Sequence, residues 1–304
     1  MSTEHPWIPV SKDDAFDPLA HNDIAADEDT PIIVTPRGGT RGIGRSCYEV
    51  RTRKSTFIVD CGLNQGSGGQ FPDFRGLERE QVDAVFLTHA HIDHSGGLPV
   101  LEANGVLDDD APIYATRPTT QLAHTMLEDS LKIHKRECQN AGKPQEFTKG
   151  DVEAVYDRFE PVGYESRRVE EHEHIQTEET ATFTFGDAAH LLGSAWVAIQ
   201  VDGHRVVFSG DLGGRASHLK DIEDPPTADT LVIESTYGAT HSHKSYDDAR
   251  EELYLSIADD VAAGRPVLIP TFAIGRAQAL LLKLNQRFQQ DHETRDNSRV
   301  VLDG

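Results

Sequence analysis

The chain has 304 residues, with 29 Lys and Arg against 51 Asp and Glu, a formal net charge of −22 and three cysteines. A chain of this length buries about three quarters of its unfolded surface, so it can fold without disulfide bonds. Three cysteines cannot build a disulfide framework, which favours a reduced, cytoplasmic protein. Without an apolar run of about 18 residues or a basic-then-apolar N-terminus, we expect neither a membrane span nor a secretory signal.

The acidic excess is spread over many short runs, and Arg outnumbers Lys by 20 to 9. One interpretation is an acidic, disordered interaction protein, but the well-formed apolar segments argue against it. A folded core under a carboxylate-rich surface is expected of a protein that works in concentrated salt. At molar salt the Debye length is about 3 Å, so the surface charges are screened. The composition therefore predicts a halophile, haloarchaeal in character.

Structural elements are predicted from residue 31 onward, after an acidic and aperiodic lead-in at residues 1–30 that we expect to be flexible. Apolar and alternating segments predict strands at residues 31–36, 46–51, 55–61, 82–88, 112–116, 181–185, 196–201, 205–209, 230–234, 266–269 and 300–302. Helical periodicity predicts helices at residues 97–104, 118–140, 151–158, 247–263 and 276–289. Strands that alternate with helices, with an Asp-Gly hairpin at residues 202–203, predict an α/β layered protein with a mixed sheet. The chain stops inside a strand-to-loop passage at residues 301–304, which we interpret as a truncated end.

Three histidines and an aspartate directly follow the strand predicted at residues 82–88. His89, His91, Asp93 and His94 form the pattern H-x-H-x-D-H, which chance would place in such a chain on the order of 0.003 times. Imidazole and carboxylate are ligands that suit zinc. Residues two apart in an extended segment point the same way, so His89 and His91 can reach one metal ion. The turn at Asp93 and His94 can then reach a second ion a few Å away.

Three further candidates follow other predicted strands. His190 lies among small and apolar neighbours, which suits a histidine beside a buried metal, and the alternative is a core histidine bonded to backbone. Asp211 follows Gly210 and precedes Leu212-Gly213, where a carboxylate can bridge two metals or simply serve a turn. Asp60 ends a buried strand, and we predict that it bonds a metal ligand rather than a metal.

Other histidines and cysteines have simpler interpretations. His172 and His174 lie within a run of glutamates and indicate a solvated edge. His241 and His243 follow a Tyr-Gly turn and indicate loop residues, with an RNA contact as the alternative. The cysteines at 47 and 61 are predicted to be core thiols, because no base is paired with them.

A glycine-rich turn at residues 38–44 lacks both the Lys-Ser/Thr of a P-loop and a dinucleotide-binding context. With Arg37, Arg41 and Arg45 it can line a substrate groove, or it can be a turn only. Arg276 can contact phosphate or cap its helix.

The order of these residues resembles the metallo-β-lactamase superfamily, whose members share an αββα sandwich and a mono- or dinuclear metal centre. Residues 233–238 (IESTYG) and 269–278 (IPTFAIGRAQ) resemble its β-CASP branch, which processes nucleic acids. Residues 44–47 (GRSC) are similar to the cleavage-and-polyadenylation-type nuclease subunit and its archaeal relatives. The resemblance implies an α/β protein with a metallo-β-lactamase domain at residues 31–230 and the start of an inserted β-CASP domain at residues 231–304.

The resemblance also implies roles for individual residues. It assigns two zinc ions to six ligands: His89, His91, Asp93, His94, His190 and Asp211. Asp93, Asp211 and Glu234 would be catalytic, with Glu234 supporting a later histidine that protonates the leaving oxygen. Beyond His243 the sequence offers only His292 in place of that histidine and a final metal ligand. We therefore expect this chain to bind metal weakly at one site and to hydrolyse RNA poorly or not at all.

Three functions stay open on the sequence. The first is an RNA hydrolase that uses a zinc-activated water in RNA processing or 3′-end maturation, with Arg41, Arg45 and Arg276 as RNA-binding candidates. Its partners would be RNA and a second copy or an RNA-processing complex, and not a membrane. The second is a small-molecule hydrolase of the same fold acting on an ester, thioester or lactam. The third is a non-catalytic RNA-processing subunit.

Overall fold

The computed structural model describes residues 25–27, 31–64, 70–164, 166–168, 181–213 and 221–302. Within these residues, two β-sheets pack against each other and helices cover the outer face of the first sheet. None of the helices in these segments combines the length and the apolar character that crossing a bilayer requires.

The first sheet has six strands in chain order, and its middle is parallel. The first three strands form an antiparallel meander, and the third to sixth strands run parallel to one another. Parallel pairing requires crossover segments, and the long helix between the fifth and sixth strands is one of them. The strands are β1 (Ile33–Gly38), β2 (Cys47–Arg51), β3 (Thr56–Cys61), β4 (Ala84–Phe86), β5 (Ile113–Thr116) and β6 (Phe159–Val162).

The second sheet has five strands in the order β11-β10-β9-β8-β7. Its strands are β7 (Ser166–Arg168), β8 (Ala181–Asp187), β9 (Ala195–Val201), β10 (His204–Phe208) and β11 (Thr230–Val232). Neighbouring strands are antiparallel except β10 and β11, which are parallel. Asp202 and Gly203 join β9 to β10 with φ of +49° and +85°, the backbone that a tight hairpin requires.

Seven helices complete the described chain. They are α1 (Ile92–Ser95), α2 (Leu98–Ala103), α3 (Arg117–Ala141), α4 (Lys149–Asp157), α5 (Tyr246–Ala262), α6 (Arg276–Phe288) and α7 (His292–Asp296). The long helix α3 starts where the Thr116 side chain accepts a hydrogen bond from the Thr119 amide. It ends at Gly142 in the left-handed conformation, as the sequence predicted.

Two apolar cores hold the sheets and helices together. Between the sheets, Phe57, Phe86 and Tyr114 of the first sheet pack against Phe183 and Phe185 of the second. Because successive side chains of a strand point to opposite faces, the alternate residues of the first sheet pack against α1 to α4. The fully buried strand β3 therefore contributes to both cores. Its buried end places Asp60 at the carboxyl edge of the sheet.

The chain from α5 onward packs differently from the rest. Helices α5 and α6 share a small apolar cluster built on Tyr254, Ile257 and Leu284. Strands predicted at residues 266–269 and 300–302 are wrong, because neither segment has a strand partner among the described residues. Most of their apolar side chains stay exposed instead, with Leu268 at 90%, and Ile269 packs partly against the α5–α6 cluster. The sequence missed β6, β7, α1 and α7, each too short to show a periodic pattern.

Candidate metal centre

The H-x-H-x-D-H motif leaves the first sheet at the carboxyl edge of its parallel strands. Leu87 still pairs with the sheet, since its amide donates to the Tyr114 carbonyl at 2.9 Å. The chain then departs, and His91 stands directly before the first residue of α1. Parallel strands end at the same edge, so Asp60 at the end of β3 lies beside this loop. The motif and Asp60 are therefore neighbours because of strand direction.

The second sheet supplies His190 through a loop that is closed by a serine. The Ser194 hydroxyl accepts hydrogen bonds from the amides of His190 at 2.9 Å and Leu191 at 3.2 Å. Ala189 has φ of +54°, an uncommon conformation for a residue other than glycine. The next residue after the loop, Ala195, donates its amide to the Thr88 carbonyl at 2.9 Å. That bond ties the His190 loop to the histidine motif of the other sheet.

Asp211 follows β10, and the residue directly before it is a glycine because the packing leaves no room for a Cβ there. Gly210 has φ of +52°, and a Cβ there would lie 2.8 Å from the Thr88 Cβ. At Gly213, a Cβ would lie 1.7 Å from the Ala189 carbonyl oxygen. Two glycines therefore let the Asp211 loop approach the other two loops closely enough for its carboxylate to meet their imidazoles.

Four side chains from three loops converge on one point. His89, His91, His190 and Asp211 each offer a ligand atom, and these atoms lie within 4.8 Å of one another. The His91 Nδ1 is 3.2 Å from the His89 Nε2 and 3.1 Å from the His190 Nε2. The Asp211 Oδ2 is 3.8 Å from the His89 Nε2 and 3.6 Å from the His190 Nε2.

These distances match the donor spacing around a tetrahedral zinc ion. Zinc–nitrogen bonds of about 2.0–2.1 Å place two ligand atoms about 3.3 Å apart. The three imidazole nitrogens are separated by similar distances. One proton on the His91 Nδ1 can serve only one of its two imidazole neighbours, so hydrogen bonding leaves a lone pair unmatched. A cation would satisfy the lone pairs of all three nitrogens. The residues therefore fit zinc, the metal that imidazole and carboxylate ligands suggest.

Asp60 and Thr88 orient the histidines from behind. Asp60 Oδ1 accepts from the Thr88 amide at 2.8 Å, and Asp60 Oδ2 accepts from the Thr88 hydroxyl at 2.9 Å. That hydroxyl lies 3.0 Å from the His89 Nδ1, so it can accept the Nδ1 proton and leave Nε2 free toward the cluster. Asp60 Oδ2 also lies 2.7 Å from the His94 Nδ1. Asp60 thus contacts ligand candidates rather than the convergence point. Thr88 was missed in the sequence, although a hydroxyl directly before the histidines is its signal.

Burial and charge set the protonation of the cluster. Burial lowers the pKa of His89 well below its ordinary value and lowers the pKa of His190 to about 4. For His94, burial also lowers the pKa, but Asp60 and Asp211 outweigh it and raise the pKa well above 6.5. Burial raises the pKa of Asp211, but the His94 hydrogen bond and the charges of the neighbouring histidines together outweigh it, so the net pKa is lowered. At neutral pH, His89, His91 and His190 are therefore neutral imidazoles and Asp211 is an ionised carboxylate, whereas His94 holds a second proton between Asp60 and Asp211.

His94 and Asp93 lie next to the four converging side chains and line a neighbouring cavity. The His94 Nε2 is 3.3 Å from the Asp211 Oδ1, the carboxylate oxygen that does not face His89 and His190. Asp93 and His94 line a cavity of about 440 Å³ together with Asp60, Asp211 and Glu234. That volume lies within the roughly 300–1,000 Å³ of small-molecule sites. Asp211 therefore lies between two groups of candidate ligands.

Glu234 holds the Asp211 loop in place. Its Oε1 accepts from the Leu212 amide at 3.3 Å and its Oε2 accepts from the Thr236 amide at 3.1 Å. Its own amide donates to the Ser209 hydroxyl at 3.0 Å. These bonds span both sides of Asp211, so the carboxylate of Glu234 positions the loop that carries a candidate ligand.

The predicted RNA-binding arginines take different positions. Arg41 lines the cavity, at the glycine-rich turn. Arg45 instead directs its guanidinium to the Phe71 carbonyl at 3.5 Å. Arg276 is exposed at the first residue of α6 and adds to the lowering of the pKa of His190. The suggestion that Arg37 lines a groove is wrong, because its guanidinium is buried and donates twice to Glu49, at 2.8 and 2.5 Å.

The remaining candidates that the structure describes are not members of the four-residue group. His172 and His174 fall outside the described residues. His241 and His243 are exposed on their loop. The three cysteines, Cys47, Cys61 and Cys138, are buried free thiols. His292 is exposed at the start of α7, where its Nε2 lies 3.2 Å from the Gln289 carbonyl.

Comparisons with known proteins agree with this geometry. The profile of a family described as the metallo-beta-lactamase superfamily matches residues 40–270. The transcription termination factor FttA of Methanocaldococcus jannaschii is 35% identical over 298 residues, which cover 93% of this chain and 43% of that protein. An RNase J-like protein of the same organism is 32% identical over 257 residues, 84% of this chain and 54% of that protein. Ribonuclease TTHA0252 of Thermus thermophilus is 36% identical over 255 residues, with 83% and 54% covered. The chain spans about half the length of these relatives.

Proposed function

This chain belongs to the metallo-beta-lactamase superfamily, and from that premise we propose that it is a metal-dependent hydrolase that cleaves RNA phosphodiester bonds. The observation that carries the proposal is the convergence of three imidazoles and the Asp211 carboxylate beside a cavity of about 440 Å³. The RNA substrate is supported by the relatives, which are named ribonuclease TTHA0252, RNase J-like protein and endoribonuclease YSH1. The confirmed superfamily also accounts for the order of the motifs along the chain.

Zinc is the metal that this donor set favours. His89, His91, His190 and Asp211 would hold one ion, and Asp93 and His94 with the other oxygen of Asp211 would hold a second. When bound, zinc lowers the pKa of a coordinated water toward about 7 and offsets the charge of a phosphodiester. The chain's own residues must then orient these ligands and admit the substrate.

The orientation comes from groups behind and beside the ligands. Asp60 and Thr88 fix the protonated nitrogen of each imidazole that they contact, so the other nitrogen faces the centre. Asp211 is ionised at neutral pH, so it can accept a proton or bridge two cations. Glu234 keeps the Asp211 loop against the cavity because its carboxylate accepts from the Leu212 amide and its own amide donates to the Ser209 hydroxyl. Rigid placement of this kind removes the cost of assembling the site during the reaction.

RNA binding by this chain must be local, because the whole molecule carries a net charge of −22. The rim of the cavity is formed by residues 39–44, where Arg41 adds a positive charge. High salt weakens phosphate contacts steeply, so base stacking and metal–phosphate contacts would supply much of the affinity.

We also propose a division of the chain into two domains. Residues 31–230 form the metal-binding domain, and residues 231–304 form part of a β-CASP domain. The separate apolar cluster of α5 and α6 supports this division.

The experiment that tests the proposal compares two substrates. Labelled RNA and a chromogenic ester are each incubated with the protein, with and without a chelator. We expect RNA cleavage that stops with the chelator. His190→Asn should lower it by at least about 100-fold, since loss of groups behind a ligand already costs about 10–100-fold. The matched control is His204→Asn, an exposed histidine in the β9–β10 hairpin, and it should retain the activity.

Two outcomes would overturn the proposed function. Chelator-sensitive hydrolysis of the ester without cleavage of RNA would reassign the chain to small-molecule hydrolysis. Hydrolysis of neither substrate would favour a non-catalytic subunit.

A further inference from the structure

A second group of metal-ligating side chains lies at the C-terminal end of helix α3. His134 and Cys138 are one turn apart and share its buried face. The helix ends at Gly142, whose φ of +63° turns the chain back along the helix. Glu146, in the segment that leads to α4, thereby reaches both side chains.

The distances among the three ligand atoms are those of one coordination site. The Cys138 Sγ is 3.6 Å from the His134 Nε2 and 3.7 Å from the Glu146 Oε2. The His134 Nε2 is 3.0 Å from the same carboxylate oxygen. Around a tetrahedral zinc ion with bonds of about 2.3 Å to sulfur and about 2.0–2.2 Å to nitrogen and oxygen, the corresponding separations are about 3.6, 3.6 and 3.4 Å.

We propose that His134, Cys138 and Glu146 bind a zinc ion, separate from the metal centre of the superfamily. A thiolate and a carboxylate would together neutralise the two positive charges of the ion, and an imidazole completes a donor set that zinc prefers. The Glu146 side chain is 45% exposed, so water can occupy the fourth position. The site is independent of the proposed hydrolase activity.

Without the ion, the same three residues form a hydrogen-bonded group. The Cys138 thiol donates to the Glu146 carboxylate, and the Glu146 amide donates to the His134 Nε2 at 3.2 Å. Burial, and then the Glu146 charge, raise the pKa of Cys138, so the thiol keeps its proton until a cation offsets the two charges. When the ion binds, the thiol proton passes to solvent. A water molecule then replaces the His134 Nε2 as the acceptor for the amide of the exposed Glu146.

The surroundings fix the imidazole for this role. The His134 ring stacks on Phe147 at 4.4 Å between centroids and meets Phe71 edge-on at 6.2 Å. Phe147 is buried directly before Thr148, the residue that caps α4. An ion here would join the end of α3 to the start of α4.

Cobalt absorption tests the proposal, because a thiolate bound to Co²⁺ gives a ligand-to-metal charge-transfer band in the near ultraviolet. The centre around His89 contains no cysteine, so this band reports only on a cysteine site. Metal-free protein is titrated with Co²⁺ and then with Zn²⁺. We expect the band to appear, to saturate at one thiolate-bound ion per chain, and to disappear as zinc displaces cobalt.

Variants assign the band to the three residues. Cys138→Ser should remove it, and Cys47→Ala, at another buried free thiol, should leave it unchanged. Glu146→Gln, on a side chain that is 45% exposed, should weaken the cobalt affinity at least tenfold. Glu128→Gln, at an exposed acid on α3 ten residues before Cys138, is its control and should bind as the wild type does.

A missing band in the wild-type protein would overturn the proposal and leave the three residues as a hydrogen-bonded group. A band that persists in Cys138→Ser would do the same, since the thiolate would then come from elsewhere. RNA hydrolysis is not part of the readout, so this result stands apart from that of the proposed function.

Discussion

The substitution Asp60→Asn would test whether the groups behind the histidines control metal binding. Asp60 has φ of +58°, a conformation that Asn tolerates well, so the backbone has no reason to move. The amide oxygen can still accept from the Thr88 amide, as Asp60 Oδ1 does at 2.8 Å. The amide nitrogen would replace Oδ2 and point a donor at the His94 Nδ1, which now lies 2.7 Å from a carboxylate oxygen.

A donor at that position favours the neutral tautomer of His94 that is protonated on Nε2, whereas the Asp60 carboxylate favours a proton on Nδ1. The imidazole would accept at Nδ1 and carry its proton on Nε2, the atom that lies 3.3 Å from Asp211 Oδ1. Metal binding at Nε2 would then require the tautomer to change back and one hydrogen bond to be lost. A hydrogen bond to a charged group is worth about 1.5–3 kcal/mol. At about 1.4 kcal/mol per tenfold, this predicts an affinity for zinc about 10–100-fold lower.

The measurement is a titration of metal-free protein with Zn²⁺ in competition with a chromophoric chelator. Asp83→Asn is the matched control, because Asp83 Oδ2 accepts from the Thr56 amide at 2.7 Å and lies outside the cluster. Its affinity should stay within about twofold of the wild type, as for changes of about 0.5 kcal/mol or less. If Asp60→Asn folds and binds zinc as tightly as the control does, the orientation argument is refuted.

Two further predictions concern stability. Burial lowers the pKa of His190 in the folded protein to about 4, from the ordinary value of 6.5 that applies to the unfolded chain. As the pH falls below 6.5, His190 therefore becomes protonated in the unfolded chain before it does in the folded protein. The metal-free protein should therefore lose about 3 kcal/mol of stability between pH 6.5 and 4 through this group. Urea unfolding should show a shallower pH slope for His190→Asn, and equal slopes would contradict the assignment. Gly62→Ala would place a Cβ 1.6 Å from the Asp93 carbonyl oxygen, whereas Gly42→Ala meets nothing within 4 Å. The first should lower the unfolding free energy by at least about 1–3 kcal/mol, and similar melting temperatures for the two variants would count against the packing argument.

The local pattern of the chain predicted most elements and their ends. Helix α3 was expected at residues 118–140 and spans Arg117–Ala141, because its caps and terminators act within one turn of the helix. The hairpin at Asp202 and Gly203 was likewise a local signal. Residues 266–269 were predicted as a strand from apolar composition alone, but a strand also needs a partner for its backbone groups.

The identity of the candidate ligands was already in the sequence, since each followed a predicted strand and the spacing of His89, His91 and His94 is improbable by chance. The sequence also determined the superfamily, because its motifs occur in a characteristic order. What the chain could not show is the role of Thr88, the partners of Arg37, or the group of His134, Cys138 and Glu146. Thr88 contacts Asp60 and Arg37 contacts Glu49 because neighbouring strands of the first sheet bring them together. The turn at Gly142 brings Glu146 back to the end of α3. Strand pairing and that turn decided these contacts, because a ligand's identity is a property of one residue, but a distance belongs to a fold.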